Sequence, residues 1–116
     1  DTVAAFISAL EVDLNGSTGE VVNLGCNFEI SIGSTVNAIA EVMGVEVEII
    51  TDSERIRPNE SEVERLWADN TKANELLGWK SKYSGFEGLK RGLQETVDWF
   101  IEPSNLAGYK SDRYNL

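Results

Sequence analysis

The segment Arg55-Ile-Arg57-Pro58-Asn-Glu-Ser-Glu62-Val63 carries the residue types of this 116-residue sequence best suited to ligand chemistry. A guanidinium fork binds phosphate through paired hydrogen bonds, and Pro58 stiffens the backbone that aims it. A carboxylate a few residues on can accept hydrogen bonds from both hydroxyls of a ribose. Arg55 or Arg57 together with Glu62 therefore suits a nucleoside diphosphate. The plainer reading is a surface ion pair between Arg57 and Glu62. Charge distribution marks the same segment. No Lys or Arg occurs through Glu54, and the ten basic residues run from Arg55 to Arg113. A solvated acidic surface would account for that asymmetry equally well.

Other chemistries are excluded by what the sequence lacks. It has no histidine and a single cysteine, Cys26, which removes the usual zinc constellations, an internal disulfide and any imidazole-dependent catalytic pair. No Gly-x-Gly-x-x-Gly turn or Gly-Lys-Ser/Thr loop is present to cradle a dinucleotide or a triphosphate. Tyr83 and the Tyr109-Lys110 pair lack the Tyr-x-x-x-Lys spacing of an acid/base couple. A net charge of −10 argues against nucleic acid as a partner. No catalytic residue and no metal ligand can be assigned to this chain alone. Cytoplasm is the default compartment for a chain with no disulfide and no signal segment.

The elements that must position these residues follow from periodicity. Hydrophobic residues make up 41% of the chain and charged ones 26%, a balance typical of a folded domain. Val3, Phe6, Ile7 and Leu10 predict an amphipathic helix over Thr2–Leu14. Val21–Leu24 reads as a short buried strand ended by Gly25. Ser31 is an N-cap for a helix over Ile32–Met43, with Gly44 at its left-handed stop. Val45–Thr51 alternates as a half-exposed strand, so strand, helix and strand predict a small right-handed β-α-β unit and an α/β fold class.

Beyond the polar loop, Glu62–Trp67 reads as a short extended segment. Thr71–Leu77 is a short helix with Asn70 or Thr71 as its cap and Gly78 as its stop. Ser84 and Glu87 have the form of a capping box opening a long helix over Gly85–Ile101. Residues 1–103 form one lobe, and the tail 104–116 is expected to drape over another surface. Trp79 and Trp99 are packing residues first, and Cys26 is a small buried residue before it is a reactive thiol. Lys72, at the start of a short helix, is placed poorly for the helix dipole.

Several motifs occur in one order: Asp1-Thr-Val-Ala-Ala-Phe6, Val21-Val-Asn-Leu-Gly25, Ser31-Ile32, the Arg-x-Arg-Pro…Ser-Glu-Val segment, Asp69-Asn-Thr-Lys-Ala73, Leu77-Gly-Trp79 and Thr96-Val-Asp-Trp-Phe100. The series resembles the C-terminal part of the NAD-dependent epimerase/dehydratase family, the extended short-chain dehydrogenase/reductases of nucleotide sugars. Its Arg-Pro…Ser-Glu-Val form is most similar to the 4,6-dehydratases.

The resemblance implies a substrate-binding lobe for a nucleotide diphosphate sugar. It also implies NAD or NADP in a parent enzyme whose Rossmann domain and catalytic Thr/Ser, Tyr and Lys lie upstream. By the same resemblance Arg57 is the diphosphate ligand and Glu62 the ribose ligand. The family interval back from Asp69 supports Glu62, but it puts Asn59 where the arginine is expected, so Arg55 and Arg57 both stay open. A start at Asp1 suits a fragment or processed chain. Such a chain is expected to expose an apolar patch, to meet the missing domain there and to self-associate in its absence. The competing expectation is a freestanding, non-catalytic acidic module that docks a protein partner.

Overall fold

The computed structural model describes residues 1–13, 16, 19–51, 63 and 65–109. Among these residues five helices follow one another: α1 Thr2–Glu11, α2 Ile32–Met43, α3 Thr71–Leu77, α4 Gly85–Ile101 and the single turn α5 Pro103–Leu106. Among the described residues none of these helices is long and apolar enough to cross a membrane.

α2 forms where its periodicity and caps predict. The Ser31 hydroxyl accepts from the Ser34 N–H at 3.1 Å, and Gly44 ends the helix at φ 65°, a left-handed conformation that costs glycine little. α3 likewise stops at a left-handed Gly78. Asn70 is its N-cap, one of the two expected, but without a side-chain cap bond; the Asp69 carboxylate accepts from the Thr71 N–H at 2.9 Å and the Thr71 hydroxyl at 2.6 Å. α4 has the predicted bounds, but the capping box does not form: Ser84 makes no cap bond. Its hydroxyl donates instead to the Cys26 carbonyl at 2.8 Å, tying the start of α4 to a segment 58 residues away.

Two expectations fare differently. Val21–Leu24 and Val45–Thr51 are extended backbone, and no strand exists among the described residues, so the β-α-β unit is not assembled there. A ladder needs a paired neighbour. Val45, Val47 and Ile49 lie 48%, 48% and 60% exposed with none beside them. α1 is a helix with the predicted stripe, but it turns Val3, Phe6, Ile7 and Leu10 outward and buries Ala5.

The core is accordingly small. Ala5 of α1, Ala73 of α3 and Trp79 pack together, with Val22 and Leu77 against them. Trp79 is thus a packing residue, as its sequence context predicts, and its indole N–H donates to the Asp1 carbonyl at 3.3 Å. The Asp1 carboxylate accepts from the Ser81 hydroxyl at 2.7 Å and the Lys82 N–H at 2.8 Å, so the start of α1 is fastened to the turn leading into α4. α2 packs on α4, with Ala38 and Ala40 buried. At its far end α4 meets α5, and Tyr109 folds back edge-on to Trp99 and Phe100 at centroid distances of 6.2 and 5.1 Å. The accessible surface is 9668 Å². A compact monomer of 12.8 kDa would expose roughly 6,300 Å².

Gly88 is required by a close approach. A Cβ there would lie 2.4 Å from the Tyr83 carbonyl carbon, backbone that has no easy way to yield. Gly88→Ala is expected to cost about 1–3 kcal/mol through overpacking. Gly33→Ala, on open surface of α2, is expected to add up to about 1 kcal/mol. Urea unfolding of both variants checks this. Equal stabilities would contradict the contact between α4 and Tyr83.

Candidate functional site

Segments 25–29 and 65–70 lie side by side and run in opposite directions. The Asn70 amide donates to the Gly25 carbonyl at 2.7 Å. The Trp67 indole donates to Asn27 Oδ1 at 2.6 Å. Arg65 grips the Glu29 carboxylate with two donors, Nε at 2.9 Å and a terminal nitrogen in even closer contact. The segments approach so closely at one end that a Cβ on Gly25 would sit 2.6 Å from the Ala68 Cβ. Asn27 adopts φ 49°, a left-handed conformation that asparagine tolerates better than most side chains. Three side-chain rungs do here what backbone bonds do in a ladder.

Beyond the third rung the two segments diverge into a cleft of about 510 Å³. One wall is Glu29, Ile30, Ser31 and Ile32, and the other is Val63, Arg65 and Leu66. The N-terminal turn of α2 borders it, and the positive end of a helix favours anions. Val63 is the residue at which the Arg55–Val63 segment rejoins the described chain. Arg55, Arg57 and Glu62 themselves lie outside the described residues. Sequence reasoning missed Asn27, Glu29 and Arg65, because partners 36 and 40 residues apart leave no spacing signal.

The electrostatics of the cleft follow from the third rung. Hydrogen bonding and charge from Arg65 hold the Glu29 carboxyl below its ordinary value, and Glu29 raises the Arg65 guanidinium in return. Arg65 is therefore largely neutralised by its partner, and a bound diphosphate would need further cations. Lys72 does not supply one, being paired with Glu20 at 2.7 Å. Among the described residues no cluster of Cys, Asp or Glu could hold a metal ion. A second, apolar groove of about 710 Å³ lies between Phe28, Ile30 and the Leu89, Leu93 and Trp99 face of α4. At its rim Lys82 Nζ meets the Tyr83 hydroxyl at 2.9 Å and Glu95 at 3.0 Å.

Residues 1–92 match the family model described as GDP-mannose 4,6 dehydratase. A UDP-glucose 4-epimerase of Bacillus subtilis is 32% identical over 113 residues, covering 96% of this chain and 30% of its own length. A probable GDP-L-fucose synthase 1 of Oryza sativa subsp. japonica is 34% identical over 83 residues, 72% of this chain and 23% of its own length. A dTDP-D-glucose 4,6-dehydratase of Bos taurus is 27% identical over 115 residues, 88% of this chain and 27% of its own length. The chain thus spans less than a third of the length of these relatives. No solved structure matches it.

The Glu29–Arg65 pair should respond to acid. The folded-state pKa of Glu29 is depressed, so the pairing is complete above the ordinary value of 4.5 and is lost as pH falls through the lower folded value. Carboxyl-carbon NMR is expected to show Glu29 titrating below 4.5 and moving back up in Arg65→Ala. A titration unchanged by that substitution would contradict the pairing.

Proposed function

The chain belongs to the GDP-mannose 4,6 dehydratase family of NAD-dependent epimerases and dehydratases, and on that premise we propose that it is the nucleotide-sugar-binding lobe of such an enzyme. The observation that carries this reading is the family match over residues 1–92, which takes in both walls of the cleft and the whole of the Arg55–Val63 segment. Arg57 is the diphosphate ligand, with Arg55 as its alternative, and Glu62 accepts from the ribose hydroxyls. Since Arg65 is held by Glu29, cations from this segment are what a diphosphate at the cleft requires.

The family implies NAD or NADP, but the residues of this chain do not fit a dinucleotide. The sequence has no Gly-rich strand-to-helix turn, and the polar side chains lining the cleft are only Glu29, Ser31 and Arg65. Hydride and proton transfer therefore belong to residues of the parent enzyme other than these. This lobe supplies affinity and orientation. The finer α/β architecture is part of the same proposal, with 21–24 and 45–51 extended and ready to pair as strands in the complete protein. The exposed face of α1 is then the surface that meets the Rossmann domain. That face, with Leu10 86% exposed, also favours a second reading as a non-catalytic acidic docking module.

Calorimetry of the full-length protein with UDP, GDP and dTDP tests the first reading. Hydrogen bonds to a charged group contribute about 1.5–3 kcal/mol, so Arg57→Ala is expected to weaken binding by roughly ten- to a hundredfold. Glu62→Ala should weaken nucleotide binding while leaving inorganic pyrophosphate unaffected. Unchanged affinity in both Arg57→Ala and Arg55→Ala would remove the phosphate role and favour the docking module.

A further inference from the structure

We infer that Glu29 and Arg65 are a positioning pair, which sets the separation of the cleft walls and through it the affinity for a nucleoside diphosphate, without either residue touching that ligand. The inference rests on the nucleotide-binding reading of the cleft and adds residues to which the sequence gives no role.

Three observations support it. The pair is the last rung of the clasp and sits where the cleft begins, with Glu29 on one wall and Arg65 on the other. The two other rungs lie behind it, outside the cleft, so the cleft walls themselves are joined by this contact alone among the described side-chain bonds. The contact has two donors on one carboxylate, the planar geometry that fixes orientation as well as distance. A lysine or a single hydrogen bond would hold the walls together without fixing their angle.

The exposure of the pair explains why its role is positional. The two side chains are 66% and 39% exposed, and ion pairs this open to water add little to global stability. Their effect is local. Val63 and Leu66 flank Arg65 on the second wall, and Ile30 to Ile32 follow Glu29 on the first, so a shift at the rung is passed to both walls. A misplacement of about 1 Å at a binding constellation is enough to lose much of its complementarity.

The test uses the full-length protein with UDP, GDP and dTDP as probes. Glu29→Ala and Arg65→Ala are each expected to weaken binding about tenfold, to the same extent, with little change in melting temperature. The charge-swapped double variant Glu29→Arg/Arg65→Glu is expected to recover most of the loss, which a bland structural role or a direct ligand role would not give. Glu41→Ala, which breaks the Lys90–Glu41 pair between α2 and α4, is the control and should leave affinity unchanged. Equal binding by the native protein and both single variants overturns the positioning role alone. So does a loss confined to Arg65→Ala, which would make Arg65 a direct ligand, or a swapped variant as weak as the singles. Failure of the native protein to bind any of the three nucleotides overturns the nucleotide-binding reading together with this inference.

Discussion

The clasp between residues 25–29 and 65–70 is the constraint from which the rest of the described structure takes its arrangement. It joins the half of the chain that holds no basic side chain to the half that holds all of them. Gly25 is small enough to let Ala68 approach, and the Asn70 amide reaches its carbonyl. One residue on, the Cys26 carbonyl accepts from Ser84, so α4 starts from the same place. α2 leaves from the other end of the first segment at Ser31 and packs back on α4. Loss of the clasp would leave α1 and α3 joined by Trp79 but would unfasten the cleft.

Burial explains why polar contacts carry so much of the arrangement. Among the described residues the buried hydrophobic ones are Ala5, Ala38, Ala40, Ala73 and Trp79, four of them the smallest apolar side chain. Their transfer energy is modest, since stabilisation scales with the apolar area removed from water. The larger side chains of α1, and those of 45–51, remain in solvent. Orientation between elements is therefore set by directional bonds at a few backbone carbonyls and carboxylates, those of Asp1 and Glu29 among them. These bonds define a cleft more sharply than they stabilise a fold.

Helices were legible in the sequence because their signal is local. The 3.6-residue stripe, Ser31 before α2, and Gly44 and Gly78 after α2 and α3 each act within a few residues of where they are read. Ser84 was misread because its hydroxyl is drawn to a carbonyl 58 residues away, a competition no local pattern reveals. The strands are not assembled among the described residues for a related reason: alternation at 45–51 reports a residue pattern, whereas a strand also needs a partner. Arg55, Arg57 and Glu62, which lie outside the described residues, were singled out by charge and resemblance. Glu29 and Arg65 are defined by a contact across 36 residues and became visible only in three dimensions.

The three tryptophans report on separate parts of the molecule, which makes the central claim directly measurable. Trp67 lies on the clasp beside the cleft, Trp79 in the core and Trp99 at the apolar groove and the α4 end. In a nitrogen-15 NMR titration of the full-length protein with UDP, GDP and dTDP, the Trp67 indole signal is expected to shift as one of the nucleotides saturates. The Trp79 and Trp99 indole signals should stay where they are. A nucleotide that moves Trp99 and leaves Trp67 unchanged would put the ligand in the groove beneath α4 and contradict the account.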